Sequence, residues 1–189
     1  MDTPRDPIPR VPRVGGLRVR GPWTVRGLLV ALASAAVATA CRSAPRPEPQ
    51  VLALSAGVLG IADGEQSSRY GAEVRFGEHT SWKLIPAVSL AWSDDGAFFV
   101  STEARRNFWV SERFILTPSF GVGYFDAGKV LDLGGDLEFR SALEATYCFG
   151  GDWRLGLVAF HISNAGIFAA NPGTEGLALT IAIPLPRTD

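Results

Sequence analysis

Histidine, cysteine and lysine are scarce in this chain of 189 residues, and each shortage removes a class of function. Two cysteines cannot build a disulfide framework, and the few Cys and His residues do not form the paired clusters that a structural zinc site needs. The sequence therefore calls for no metal and no cofactor. The formal net charge is −1 and the arginines are scattered, so there is no basic field of the kind that nucleic-acid binding relies on. Downstream of residue 41 no apolar run approaches the ~18 residues of a membrane-crossing helix. Helical spans are thereby excluded from the body of the chain.

The first 26 residues, in contrast, are rich in Pro, Gly and Arg and lead into the apolar, Ala-rich run Gly27 to Ala40. A basic leader, a short apolar stretch and the small-residue ending Ala38-Thr39-Ala40 describe a signal peptide over residues 1–40. Cys41 directly after small residues also permits lipoprotein processing, although Ala38 stands where Leu is usual; simple cleavage after Ala40 is the expectation. Residues 41–50, with three prolines between Arg42 and Gln50, read as a periplasmic lead-in without regular structure. One domain, residues 51–189, follows.

That domain alternates with period two. Segments of roughly ten residues, separated by Gly, Asp, Asn and Pro clusters, fall at Val51–Gly60, Arg69–Gly77, Lys83–Trp92, Ala97–Arg105, Arg113–Phe125, Gly135–Phe149, Asp152–Ser163 and Glu175–Leu185. In the fifth, Phe114, Leu116, Pro118, Phe120, Val122 and Tyr124 share one face and Arg113, Thr117, Ser119, Gly121 and Gly123 the other. In the sixth, Leu137, Phe139, Leu143, Ala145, Tyr147 and Phe149 oppose Asp136, Glu138, Arg140, Glu144 and Thr146.

Alternation alone does not say which face points outward, since a soluble lipocalin-like barrel has the same period with its oily face inside. The polar face is built of Gly, Ser, Ala and Thr punctuated by Glu73, Arg75, Glu103, Arg105, Glu138, Arg140 and Glu144. Small residues with balanced charges suit a crowded interior, whereas a water-facing surface would carry more lysine than Lys83 and Lys129. Tyr70, Phe76, Trp92, Phe114, Tyr124, Tyr147 and Phe149 fall near segment ends on the oily face, as interfacial girdles do. The expectation is an all-β fold, an eight-stranded antiparallel transmembrane outer-membrane β-barrel whose lumen is filled by side chains rather than open as a pore. With the N-terminus in the periplasm, the loops Ala62–Ser68, Ser93–Gly96, Asp126–Gly134 and Asn164–Thr174 lie outside the cell.

One set of residues carries acyl-transfer chemistry: His161-Ile162-Ser163-Asn164-Ala165-Gly166 followed by Asn171-Pro172-Gly173-Thr174-Glu175. His161 and Ser163 are two apart on the seventh strand and leave the same face. If the hairpin sets Ser163 opposite Glu175, the carboxylate is a diagonal neighbour of the imidazole. All three continue lipid-facing stripes, where polar groups are costly unless interfacial or functional, so a hydrolase here would act on a lipid of the outer leaflet. A serine hydroxyl needs a base, and the imidazole needs a carboxylate to hold its tautomer. Ser163 is thus the candidate nucleophile, His161 the base and Glu175 the orienting acid. Gly166 and Asn171 are candidate oxyanion donors.

These strings resemble the active-site region of the lipid A 3-O-deacylase (PagL) family, eight-stranded outer-membrane esterases of Gram-negative bacteria. The resemblance implies the same roles for Ser163, His161 and Glu175, and an oxyanion hole formed by Asn171 and the Gly166 amide. It implies lipid A, in lipopolysaccharide, as substrate, cleaved at the ester-linked 3-hydroxyacyl chain at position 3. The eight-segment layout extends the likeness over Val51 to Leu185, while the ending Pro184-Leu185-Pro186-Arg187-Thr188-Asp189 departs from the terminal aromatic common in such barrels. A homodimer stays open.

The remaining candidates read as structural. His79 is expected in a solvated periplasmic turn, Cys148 as a buried free thiol, and Asp94, Asp95, Asp126, Asp132 and Asp136 as solvated loop acids. Gly121 and Gly123 open no helix, which excludes a phosphate cradle. Two other classes compete with the esterase: a non-enzymatic barrel with a structural or binding role, and a soluble carrier.

Overall fold

In the computed structural model the described residues are 48–186 except 63, 65 and 130. The signal peptide expected over 1–40 and Cys41 lie outside them. The chain forms β1 (Val51–Leu59), β2 (Ser67–Arg75), β3 (Ile85–Ser93), β4 (Phe98–Arg105), the two-residue β5 (Phe108–Trp109), β6 (Phe114–Asp126), β7 (Leu137–Phe149), β8 (Trp153–Ser163) and β9 (Thr174–Pro184). All pairings are antiparallel, and the ladder closes because β1 pairs with β9 and β4 with β6. Closure makes an eight-stranded barrel, with β5 attached to β6 at its rim. Among the described residues no helix is long and apolar enough to cross a membrane. The ring of strands satisfies the backbone in hydrocarbon instead.

The predicted segments correspond to the eight barrel strands, with shifts at the turns. β3 begins at Ile85 rather than Lys83, because Lys83 takes a left-handed φ of 56° in the turn after β2. That turn holds exposed His79, whose amide donates to the Leu84 carbonyl and whose ring lies against Trp82. β5 was invisible to periodicity, since two residues carry no period.

Burial follows the alternation. Tyr70, Phe76, Trp92, Phe114, Tyr124, Tyr147 and Phe149 are all exposed on the outer wall with Leu54, Val88, Leu155, Leu179 and Ile181, so the oily face is the bilayer-contacting one. Inside, the charged residues pair across strands. Arg75 bonds Glu73 (2.5 Å) and Glu144 (2.8 Å), Arg105 bonds Glu144 and Glu73, and Arg140 holds both oxygens of Glu103 at 2.8 Å. Ser89, Ser101, Ser119 and Thr180 fill the remaining acceptor positions of Glu103 and Glu144. A Cβ at Gly156 would meet Glu144 Oε1 and Thr180 Oγ1 at 2.5 Å, so the glycine leaves the room that this carboxylate occupies. Toward the loop end, the guanidinium groups of Arg69 and Arg140 each lie over the buried Phe160 ring, 4.8 Å from its centroid. Cys148 shares the inward parity as a free thiol.

The barrel's two ends differ. Short turns, the β5 segment and the chain ends lie at one end, where Arg154 bonds Glu48 (2.5 Å) and the Leu185 amide donates to the Gln50 carbonyl. The loops after β1, β3, β6 and β8 converge at the other. Asp94 accepts from Ser67 Oγ (2.5 Å) and the Ser68 amide (3.0 Å), bonds that hold its carboxyl below the usual carboxylate range. Asp95 joins three elements by accepting from Ser67 Oγ, Ser93 Oγ and the Leu131 amide. The Gly60 amide reaches Thr174 Oγ1 (3.2 Å).

Glu138 departs from the paired interior that the sequence suggests. It is fully buried beneath the loop end, and its carboxylate meets no arginine, the Asn164 side chain being the polar group that bears on it. Removing one member of a buried pair strands its partner at a cost of ~3–5 kcal/mol, whereas replacing an unpaired buried carboxyl by an apolar group costs little. Glu144→Leu, which leaves the two buried cations Arg75 and Arg105 to share the single carboxylate of Glu73, is expected to lower the heat-modification temperature of the detergent-solubilised barrel sharply. Glu138→Leu is expected to leave it unchanged or raise it, with semi-native electrophoresis after graded heating as the measurement.

Candidate active site

The site sits where the β8–β9 hairpin reaches the loop end. β8 runs outward to Ser163, the loop 164–173 turns, and β9 returns from Thr174. Strand alternation sends Trp153, Leu155, Leu157, Ala159, His161 and Ser163 to the bilayer-facing side, and Glu175 with Leu177, Leu179, Ile181 and Ile183 to the same side. The register pairs His161 directly with Glu175. This corrects the expected register, in which Ser163 faced Glu175 and the carboxylate was diagonal to the imidazole. The hairpin register is set by how many residues the loop consumes, and periodicity cannot count those.

Direct pairing brings His161 Nδ1 to 3.1 Å from Glu175 Oε1. A carboxylate on Nδ1 fixes the imidazole orientation and leaves Nε2 for chemistry. Glu175 is shielded although it occupies an outward position: 7% exposed, against 59% for Leu179 on the same face of the same strand. The Ile61 amide bonds its backbone carbonyl (3.2 Å), tying the loop after β1 to the start of β9. His161 and Ser163 are both half-buried. Ser163 lies one pleat repeat beyond His161 toward the loop, with no hydrogen bond between the two side chains. Such nucleophile–base bonds are often long in a ligand-free protein and tighten on substrate.

The loop 164–173 is organised by a residue to which sequence pattern gives no role. Asn164 is fully buried, and its Nδ2 donates to the carbonyls of Leu133 (3.0 Å) and Ala170 (2.8 Å). Its Oδ1 accepts from the Gly166 amide (3.0 Å), and its own amide donates to Asn171 Oδ1 (3.1 Å). Both expected oxyanion donors are therefore joined to Asn164, and the Gly166 amide points at a side-chain oxygen in this structure. Two residues in left-handed backbone, Ala165 (φ 56°) and Gly166 (φ 81°), follow Asn164 and turn the chain back toward its side chain. Gly173, also left-handed at φ 66°, lies beneath the imidazole, so that a Cβ there would meet His161 Cε1 at 2.9 Å and Ser163 Cβ at 3.3 Å.

Among the described residues no group of three or more His, Cys, Asp or Glu could hold a metal ion. The arrangement offers a carboxylate–imidazole pair, a hydroxyl and a glycine-lined loop, on a wall that otherwise meets hydrocarbon. Gly173→Ala adds both left-handed strain, ~1–2 kcal/mol, and a clash with His161. The expected outcome is a folded, heat-modifiable barrel whose hydrolytic rate falls at least tenfold, checked by assaying acyl release beside the electrophoretic fold test.

Comparison with known proteins bears on the fold and on the family. The profile of the family described as lipid A 3-O-deacylase (PagL) matches residues 67–184. Among solved structures, a crystal structure of the outer membrane enzyme PagL superposes with a TM-score of 0.61 at 21% identity, covering 71% of this chain and 99% of that one. A structure from the de novo design of transmembrane β-barrels gives a TM-score of 0.50 at 15% identity, covering 73% and 98%. Both likenesses speak to the fold. No curated protein matches the chain. With more than half of its length matched by that one profile, the chain belongs to the lipid A 3-O-deacylase (PagL) family of outer-membrane β-barrel enzymes.

Proposed function

We propose that the protein is a serine esterase of the Gram-negative outer membrane that removes the ester-linked 3-hydroxyacyl chain at position 3 of lipid A, with its loop end and site at the outer leaflet. The observation that carries this reading is the 3.1 Å contact between His161 Nδ1 and Glu175 Oε1 on the bilayer-facing wall beside Ser163. An ion-pairing couple placed on a hydrocarbon-facing stripe serves packing poorly and lipid chemistry well.

The steps use only this chain's groups and water. Ser163 Oγ attacks the ester carbonyl while His161 Nε2 takes its proton, and Glu175 stabilises the imidazolium. Asn171 presents its side-chain NH2 to the oxyanion, since its Oδ1 is already engaged by the Asn164 amide. The Gly166 amide turns from Asn164 Oδ1 to join it, and such donors are worth several kcal/mol in a water-poor site. Collapse breaks the ester C–O bond, and Nε2 protonates the departing sugar oxygen. Water, deprotonated by His161, then cleaves the acyl-serine, which releases the 3-hydroxy acid and restores the Ser163 hydroxyl. Residues 1–40 would direct export and 41–50 would form the lead-in to the barrel.

Mass spectrometry of lipid A from cells expressing the protein is expected to show loss of one hydroxyacyl unit relative to cells lacking it. Ser163→Ala is expected to abolish that loss while the barrel stays heat-modifiable; deacylation that persists in this variant rules the mechanism out and leaves a barrel with another role. Glu175→Gln keeps the shape but removes the charge that holds the tautomer, so kcat is expected to fall by up to ~10⁴-fold in a single-turnover assay.

A further inference from the structure

The outward stripe of β7 is apolar through its middle except at one residue. Leu137, Phe139, Leu143, Ala145, Tyr147 and Phe149 share that face with Ser141, whose side chain is exposed. A hydroxyl turned toward hydrocarbon is unfavourable unless something there bonds it. The register places this one beside the site. Ser141 pairs directly with His161 on one side and with Phe120 on the other, while Phe139 pairs with Ser163. Directly opposed side chains on one face have Cβ atoms ~4.5–5.5 Å apart, and diagonal neighbours lie within reach at ~7–8 Å. Ser141 thus borders the imidazole and is diagonal to Ser163. The rings of Phe120 and Phe139 stack with centroids 5.9 Å apart and an interplanar angle of 15°, making a flat apolar platform that leads away from Ser163 around Ser141.

We propose that Ser141 is a specificity-determining residue, its hydroxyl exchanging a hydrogen bond with a hydroxyl on carbon 3 of the scissile acyl chain while Phe120 and Phe139 carry the remaining methylenes. An ester carbonyl at Ser163 with its chain laid on the platform sends carbons 2 and 3 past Ser141. His161 already has its orienting partner in Glu175, so Ser141 is free to serve the substrate. The inference rests on the esterase reading above and adds to it the group that reads the chain's hydroxyl.

The test uses the full-length barrel in detergent micelles with two synthetic lipid A substrates, one carrying a 3-hydroxyacyl and the other an unsubstituted acyl chain at the cleaved position. Ser141→Ala is expected to lower kcat/KM on the hydroxylated substrate about five- to tenfold, the size of one neutral hydrogen bond, and to leave the other substrate unchanged. Ser141→Thr, which restores a hydroxyl, is expected to recover most of the loss. Equal losses on both substrates would mean that Ser141 acts through His161 and would overturn the proposal, as would no loss on either. An inactive parent protein, or release that survives Ser163→Ala, defeats the esterase reading itself. A Ser163-dependent enzyme indifferent to Ser141→Ala defeats this inference alone.

Discussion

Closure of the hydrogen-bonded ladder is the constraint from which the rest follows. Bilayer hydrocarbon offers backbone groups no partner, so β1 must find β9 and β4 must find β6 before the wall can stand in it. Once the ring is closed, every side chain has one of two addresses, lumen or lipid, and parity along the strand assigns it. The lumen is then too narrow for anything but side chains. Glu73, Arg75, Arg105 and Glu144 tie three strands together across it, while Glu103 and Arg140 repeat the arrangement nearer the loops.

A site on the outside of such a wall has to solve an electrostatic problem that an interior site does not. An exposed carboxylate at the position of Leu179 would face acyl chains. Glu175 instead lies at the first turn of its strand, covered from most directions, with His161 on its open side. Asn164 completes the enclosure from the loop side by pinning the chain at Leu133 and Ala170. The bilayer-facing wall thereby carries its carboxylate–imidazole pair at its rim, where the loops supply hydrogen-bond partners.

Much of this was legible in the sequence, for reasons that also explain the failures. A strand's period of two survives any error in its ends, so the outward faces, the aromatic rims and the shared side of His161, Ser163 and Glu175 could be read directly. Registers could not, because they depend on loop lengths and turn conformations: left-handed Lys83 moved the start of β3, and the loop 164–173 set Glu175 opposite His161 rather than Ser163. Nor could the sequence distinguish Glu138 from Glu103 or Glu144, since all three have inward parity. Only the three-dimensional arrangement shows that arginines meet the latter two and that none bonds the first. Asn164 was hidden for a similar reason, since a buried Asn is recognised by the carbonyls around it.

The packed lumen has a consequence for traffic. Nothing the size of a fatty acid can leave through a tube filled by interlocked glutamate and arginine side chains, so any ligand of a site on the outer wall must arrive and depart sideways, within the sheet of lipid. Encounter is then two-dimensional, among neighbours already crowded against the protein, and a shallow platform with little grip suffices where an enzyme fishing from dilute solution would need an enclosing pocket.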